Sequence, residues 1–308
     1  MIEITNKLYY VGVNDRNKQL FEGLWPLPDG VSYNSYLIDD EKVVLIDTVE
    51  VDFFVQFIEN IREVIGDRKI DYLVIHHMEP DHSGGLALLK QYYPDIKVIG
   101  NKKTFDLMSG FYGIKENTVE VKNGEVMEFG NHSLQFFMTP MVHWPETMMT
   151  YNPAGKVLFS CDAFGSYCAI GEKIFDDQHS EESLKFYEAE ALRYYSNIVA
   201  SFSTFVVKAL DKLASLDIRC IAPSHGLIWR SDVQRIFSLY KRFAGYNTGG
   251  GCEKEICIIW GSMYGYTKQG LDADIKGIES EQVPYTIHDI PDTDVSYILG
   301  DAYKAAGL

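Results

Sequence analysis

No run of about 18 apolar residues occurs anywhere in this chain, which excludes a transmembrane helix. The opening Met1-Ile2-Glu3-Ile4-Thr5-Asn6-Lys7 lacks the basic stretch and apolar run of a secretory signal. Basic residues are in deficit: 28 Lys and Arg stand against 44 Asp and Glu, a net charge of −16. That balance argues against a grip on the phosphate backbone of nucleic acid and against an anionic membrane surface as partner. Cysteines are few and odd in number, Cys161, Cys168, Cys220, Cys252 and Cys257, with no CxxC spacing among them. They read as reduced thiols of a cytoplasmic protein rather than a disulfide framework. No internal repeat and no low-complexity tract is visible.

What remains is an ordinary globular composition, 46% hydrophobic and 23% charged over 308 residues. On a prior of about 150 residues per domain this length suggests two domains. Short β-branched and aromatic runs at 7–13, 32–38 and 42–48 predict strands. Val51, Phe54, Val55, Ile58, Ile61, Val64 and Ile65 keep the spacing of one buried helix face. A buried strand is expected over 70–75, helices over 84–93 and 103–111, and a short strand over 97–99. Period-two alternation returns from 118 to 151, followed by strands at 156–161 and 218–222. Helical periodicity covers 180–216, broken near 201–203, and 232–243. Asn247-Thr248-Gly249-Gly250-Gly251 offers no apolar anchor and reads as a linker. Beyond it, a strand at 255–260, a helix at 268–279 and a strand at 284–288 open a parallel α/β sheet. The predicted division is therefore residues 1–248 and 252–308.

His77-Met78-Glu79-Pro80-Asp81-His82 places four potential metal ligands within six residues at a strand end. Imidazoles and carboxylates together suit iron, zinc or manganese. A solvated acidic loop is the ordinary alternative, but three further candidates share the same setting. His143 follows a β-rich stretch, Asp162 ends a strand, and His225 lies in the loop after one; α/β architectures collect site residues at such positions. His132, His179 and His288 read as surface or packing residues. His76 alternates to the opposite face of its strand from His77.

His-x-Glu-x-Asp-His followed by His143, Asp162 and His225 resembles the metallo-β-lactamase fold and, within it, the flavodiiron proteins. The strings His143-Trp144-Pro145-Glu146-Thr147-Met148, Phe159-Ser160-Cys161-Asp162 and Ser224-His225-Gly226-Leu227-Ile228-Trp229 carry the same resemblance. Glu79 stands where most hydrolases of that fold have histidine. The resemblance implies an αββα sandwich in which His77, Glu79 and His143 hold one non-haem iron, Asp81, His82 and His225 the other, and Asp162 bridges them. In such a site His82 can also swing off the metal. Tyr195 is a weaker candidate for a hydroxyl near the pocket, equally readable as an aromatic on a buried helix face.

After the strand at 255–260 comes Gly261-Ser262-Met263-Tyr264-Gly265-Tyr266-Thr267. Hydroxyls at Ser262 and Thr267 with backbone amides between them can cradle a phosphate at the start of the next helix. In this place the loop resembles the FMN phosphate loop of a flavodoxin-like domain, which implies cofactor contacts from Ser262, Met263, Tyr264, Gly265, Tyr266 and Thr267. A flavodoxin-like sheet has the order 2-1-3-4-5. The sequence supplies its strand–helix–strand (β-α-β) opening in fewer than 60 of its 308 residues, where ordinary domains run about 100–150. The second domain is thus expected to be incomplete, the chain to be a shortened form of a longer protein ending about where strand 3 begins, and FMN binding to be weak or absent.

The implied activity is a cytoplasmic oxidoreductase that reduces O2 to water, NO to N2O, or both, with electrons delivered through FMN from a rubredoxin-like donor. The family implies a head-to-tail homodimer, or a tetramer built from two. The alternatives are a zinc hydrolase of the metallo-β-lactamase fold and an inactive remnant lacking a complete flavin site.

Overall fold

A computed structural model describes residues 1–308. Two mixed sheets form its larger part. The first runs in the order Ile2–Thr5, Leu8–Tyr10, Tyr36–Asp39, Val43–Ile46, Tyr72–Val74, Lys97–Gly100, Thr118–Glu120. Its first four strands are antiparallel neighbours, and its last four are parallel. The second runs Val126–Glu128, Ser133–Met138, Met148–Asn152, Val157–Cys161, Cys220–Pro223, with only the last pair parallel.

Parallel neighbours require crossovers, and the helices Phe54–Ile65, Leu86–Tyr92, Lys102–Tyr112 and Glu181–Tyr194 through Ser203–Leu213 lie in them. Of the apolar stripe foreseen on the first helix, Phe54, Ile58, Ile61 and Ile65 are buried, joined by Phe57, whereas Val51 and Val55 are exposed and Val64 is half-buried. Strands Val43–Ile46, Met148–Asn152, Val157–Cys161 and Cys220–Pro223 are buried at every position, as strands covered on both faces must be. The sheets face each other: the Tyr36 ring lies 5.2 Å from that of Phe159, and the Tyr36 hydroxyl donates to the Pro223 carbonyl at 2.6 Å. The expected αββα sandwich is therefore the observed layering.

Several elements differ in detail from expectation. The run at 32–38 divides into Val31–Tyr33 and Tyr36–Asp39, because the Asn34 backbone and amide leave the sheet to bond Ser224, Pro223 and Gly226. The break foreseen near 201–203 is longer, beginning with a π-type turn at Tyr195–Val199.

The last part of the chain goes further than a strand–helix–strand opening. Glu253–Trp260, helix Thr267–Ser280 and Tyr285–Asp289 are followed by helix Val295–Lys304 and a short strand, Ala305–Gly307. All three strands are parallel, and their spatial order is 2-1-3. Glu253–Trp260 is thus paired on its second edge too, where Glu253 meets Ala305 and Ile256 meets Gly307. This is the N-terminal part of a flavodoxin-like doubly wound sheet. Its second helix docks on the sandwich: Tyr303 donates to the Phe243 carbonyl at 2.9 Å and lies 3.1 Å from Ser203 Oγ.

Candidate metal centre

Four loops leave strand ends at one rim of the sandwich and converge. Strand Tyr72–Val74 delivers His77, and Pro80 then opens the one-turn helix Pro80–Ser83, which turns Asp81 and His82 inward. Proline suits the first helical position because the amide it lacks has no intrahelical partner there. His143 comes from the loop after Ser133–Met138, Asp162 directly follows Val157–Cys161, and His225 follows Cys220–Pro223.

The seven candidate ligands meet as two groups of three around one carboxylate. Glu79 Oε2 lies 3.1 Å from His77 Nε2 and 3.2 Å from His143 Nε2. On the other side, Asp81 Oδ2 lies 3.2 Å from His225 Nε2, and Asp81 Oδ1 lies 3.4 Å from His82 Nε2. Asp162 divides its oxygens between them: Oδ2 is 3.4 Å from His143 Nε2, while Oδ1 is 3.0 Å from His82 Nε2 and 3.3 Å from His225 Nε2. His82 points into this cluster rather than away from it.

Both oxygens of Asp81, Asp162 Oδ1, and the Nε2 atoms of His82, His143 and His225 are buried without a hydrogen-bond partner. Orphaned buried polar atoms on this scale are costly unless something binds them, and two cations between these donors would satisfy them all. The residues present therefore fit a two-metal centre. Four imidazoles with three carboxylates are a donor set suited to iron as well as zinc.

Partners outside the cluster fix the imidazoles. His77 Nδ1 lies 2.7 Å from Glu146 Oε1, and His225 Nδ1 donates to the Ser32 carbonyl at 2.7 Å. A proton held at Nδ1 leaves the Nε2 lone pair free for a metal. Glu146 also accepts the Met78 amide at 2.9 Å, so it sets the ring and the backbone together. Its place in the His143–Met148 string was visible in the sequence, but spacing does not reveal which carboxylate reaches an imidazole.

The electrostatics follow the crowding. Burial alone lowers His77, His82 and His225, yet the neighbouring carboxylates outweigh it. Glu146 and Glu79 push His77 up to about 9, and Asp162 with Asp81 pushes His82 and His225 up to about 10. Burial would raise Glu79 and Asp162, but His143 and His77 hold the first below the usual carboxylate range, and His82 and His225 hold the second well below it. Such a site trades protons for metal.

The other histidines pack, as expected. His76 is buried against Asp47 and Thr150, His132 against Asp40, and His288 meets Asp301. His179 lies 2.8 Å from the Lys173 carbonyl. Tyr195 is turned away from the metal cluster: its hydroxyl lies 2.9 Å from Ser203 Oγ. Its neighbour Tyr194 stands beside the cluster instead, ring centroid 5.8 Å from that of His225, with Phe21 at 5.5 Å completing the wall. Lys18, Glu22 and Glu50 rim an opening of about 200 Å³ above Glu79 and Asp81.

Far along the chain, the Ser262–Thr267 loop stands at the start of helix Thr267–Ser280, with Ser262 Oγ accepting the Gly265 amide at 2.9 Å. Met263, Tyr264 and Tyr266 are 80% exposed or more.

Comparison with known proteins agrees with this geometry. The family profile described as ODP family beta lactamase matches residues 31–226. The chain is 36% identical to the anaerobic nitric oxide reductase flavorubredoxin of Vibrio vulnificus, with all of this chain aligned over 62% of that protein. It superposes on rubredoxin oxygen:oxidoreductase from Desulfovibrio gigas with a TM-score of 0.91 at 29% identity, covering 99% of this chain and 75% of that one. The flavodiiron protein of Giardia intestinalis gives a TM-score of 0.92 at 28% identity, covering 99% and 74%. The chain thus spans under two thirds of the length of the flavorubredoxin it resembles. A metallo-β-lactamase-like sandwich with a Glu-containing ligand set, continued by a flavodoxin-like 2-1-3 sheet, places this chain in the flavodiiron family.

Proposed function

We propose that residues 1–248 form a diiron domain that reduces O2 to water, NO to N2O, or both. The observation that carries this reading is Asp162, which turns one oxygen to each group of three ligands. His77, Glu79 and His143 would hold one iron, and Asp81, His82 and His225 the second, with Asp162 bridging. Bound iron supplies one-electron redox chemistry and open positions for a diatomic gas. The protein's own residues do the rest. Asp162 keeps the two groups at one spacing, Glu146 and the Ser32 carbonyl orient His77 and His225, and Phe21 with Tyr194 walls the pocket. The carboxylates Glu79, Asp81 and Asp162 give the site more negative charge than a histidine-rich hydrolase site, which favours cycling between ferrous and ferric states.

Residues 252–308 are the part of a flavodoxin-like domain that would contribute Ser262–Thr267 to an FMN phosphate. The names of the relatives support a rubredoxin-type electron donor and either gas as substrate. A head-to-tail dimer, or a pair of such dimers, would bring flavin and iron together across subunits.

The test is metal analysis joined to anaerobic reduction. Two irons per chain, with consumption of O2 or NO by the reduced protein, are expected. Glu79→Ala and Asp162→Asn should abolish turnover while the fold survives. Two zincs per chain with ester or amide hydrolysis would overturn the reading in favour of a hydrolase.

A further inference from the structure

Arg193 lies outside the metal cluster, 3% exposed, at the meeting of three segments. Glu190 pairs with its charge, accepting from Nη2 at 2.6 Å and from Nε at 3.1 Å. The remaining nitrogen, Nη1, reaches two groups that have nothing else in common: the Pro26 carbonyl at 3.0 Å and Ser296 Oγ at 3.1 Å. Pro26 belongs to the small hairpin in which Leu20–Phe21 pairs with Trp25–Pro26. Ser296 belongs to the first turn of helix Val295–Lys304 in the flavodoxin-like part. One tyrosine ring from each part then covers a face of the guanidinium, Tyr167 at 4.4 Å and Tyr297 at 4.5 Å. A planar cation with fixed donors can hold such a sandwich, whereas a lysine ammonium cannot reproduce its geometry.

The contacts continue inward. The Tyr167 ring stands edge-on to Phe21 at 5.5 Å and to Tyr194 at 5.1 Å, and those two rings flank His225. The same hairpin carries Glu22 to the rim of the opening above Glu79 and Asp81. One side chain therefore ties the flavodoxin-like helix, the hairpin that closes the pocket, and the aromatic wall behind a candidate ligand.

We propose that Arg193 is a positioning residue that holds the hairpin of residues 20–26, and with it Phe21, against the wall of the metal pocket, and that seating of helix Val295–Lys304 reinforces this hold. Its significance for the metal rests on the diiron reading above; the mechanical link does not.

Hydrogen exchange on the full chain tests the link without any metal. The reporters are the Leu24 amide, bonded to the Phe21 carbonyl, and the Leu27 amide, bonded to the Gln19 carbonyl. Losing buried charge-assisted bonds in Arg193→Lys should speed their exchange by about tenfold or more, leaving strands Val43–Ile46 and Val157–Cys161 unchanged. Ser296→Ala, which removes only the bond from the flavodoxin-like helix, should accelerate the same amides by a smaller factor. Unchanged hairpin exchange in Arg193→Lys, or acceleration spread evenly over the core strands, would overturn the proposal. If Arg193→Lys does not fold, Ser296→Ala decides alone: no change at Leu24 and Leu27 sinks the coupling. In iron-loaded oxidised protein, azide should bind faster to Arg193→Lys than to the parent at equal iron content, as a loosened Phe21 requires. Failure to load iron in either protein would count against the diiron reading instead, leaving the exchange result to judge the link.

Discussion

At the scale of single residues the metal cluster is a balance between charge and burial. Glu146 is a sharp case, because its carboxylate meets both the His77 ring and the Met78 amide. Glu146→Gln removes the charge that favours a basic imidazole, and we expect metal affinity to fall by about 10- to 100-fold, read by chelator competition. The histidines predict a pH dependence of the metal-free protein. His77, His82 and His225 sit above their ordinary 6.5, at about 9, 10 and 10. Their charged forms therefore stabilise the fold fully below pH 6.5, and that contribution is lost as pH rises through 9 to 10. Glu79 and Asp162 are lowered, so their contribution is present above the usual carboxylate range and lost only in strong acid. The urea midpoint of metal-free protein should fall between neutral pH and pH 10, while metal-loaded protein, whose imidazoles are held by the ion, should change far less. A metal-free midpoint that rises over this range would contradict the assignment of charge.

At the scale of elements, loops at strand ends decide where the ligands go. Gly226, beside His225, adopts φ +76°, and a Cβ there would meet Ser166 Oγ at 2.1 Å. Gly226→Ala thus combines backbone strain with a clash. We expect both a lower melting temperature and reduced metal content. Helix Lys102–Tyr112 reaches the metal cluster through its cap, where the Asn101 side-chain amide donates to the Glu146 carbonyl at 2.6 Å. Asn101 caps it by accepting the Lys103 and Thr104 amides, so Asn101→Ala should cost about 1 kcal/mol of stability, read by thermal melting, and loss of the bond that anchors Glu146 beside His77 should also weaken metal binding. The displacement of Tyr195 belongs at this scale too. Neighbours on a helix point about 100° apart, so only the rotation of Glu181–Tyr194 against the sandwich decides that Tyr194, rather than Tyr195, faces His225. Periodicity marks the helix as amphipathic, but adjacent tyrosines at the border of its buried face are both compatible with that pattern.

At the scale of the whole molecule the two parts differ in what holds them. The continuous apolar core runs from Leu8 to Ala244 and includes no residue of the flavodoxin-like part. In that part, Cys257, Leu271 and Ala305 are the buried apolar side chains, too few for independent stability in so short a segment. A fragment of residues 1–248 should therefore unfold cooperatively and retain the metal, whereas residues 252–308 alone should show no cooperative transition by calorimetry. A fragment 1–248 that fails to fold would place the helix Val295–Lys304 among the elements the sandwich requires.

The layered α/β class and the strand-end loops that carry the candidate ligands were legible in the order of residues, because each rests on local chemistry. Strand ends and Pro80 at a helix start declare themselves within a few positions. The candidate ligand set was reached by combining that chemistry with a family resemblance, since His77 and His225 are remote in the chain and nothing local says they share a point. Tertiary structure alone decided the rest. It brought Asp162 between two groups of three, gave His77 its Glu146, placed Tyr194 at the wall, and seated Arg193 between two tyrosines from separate parts. These are relations between side chains on different elements, set by how sheets and helices pack, and packing depends on the whole chain at once.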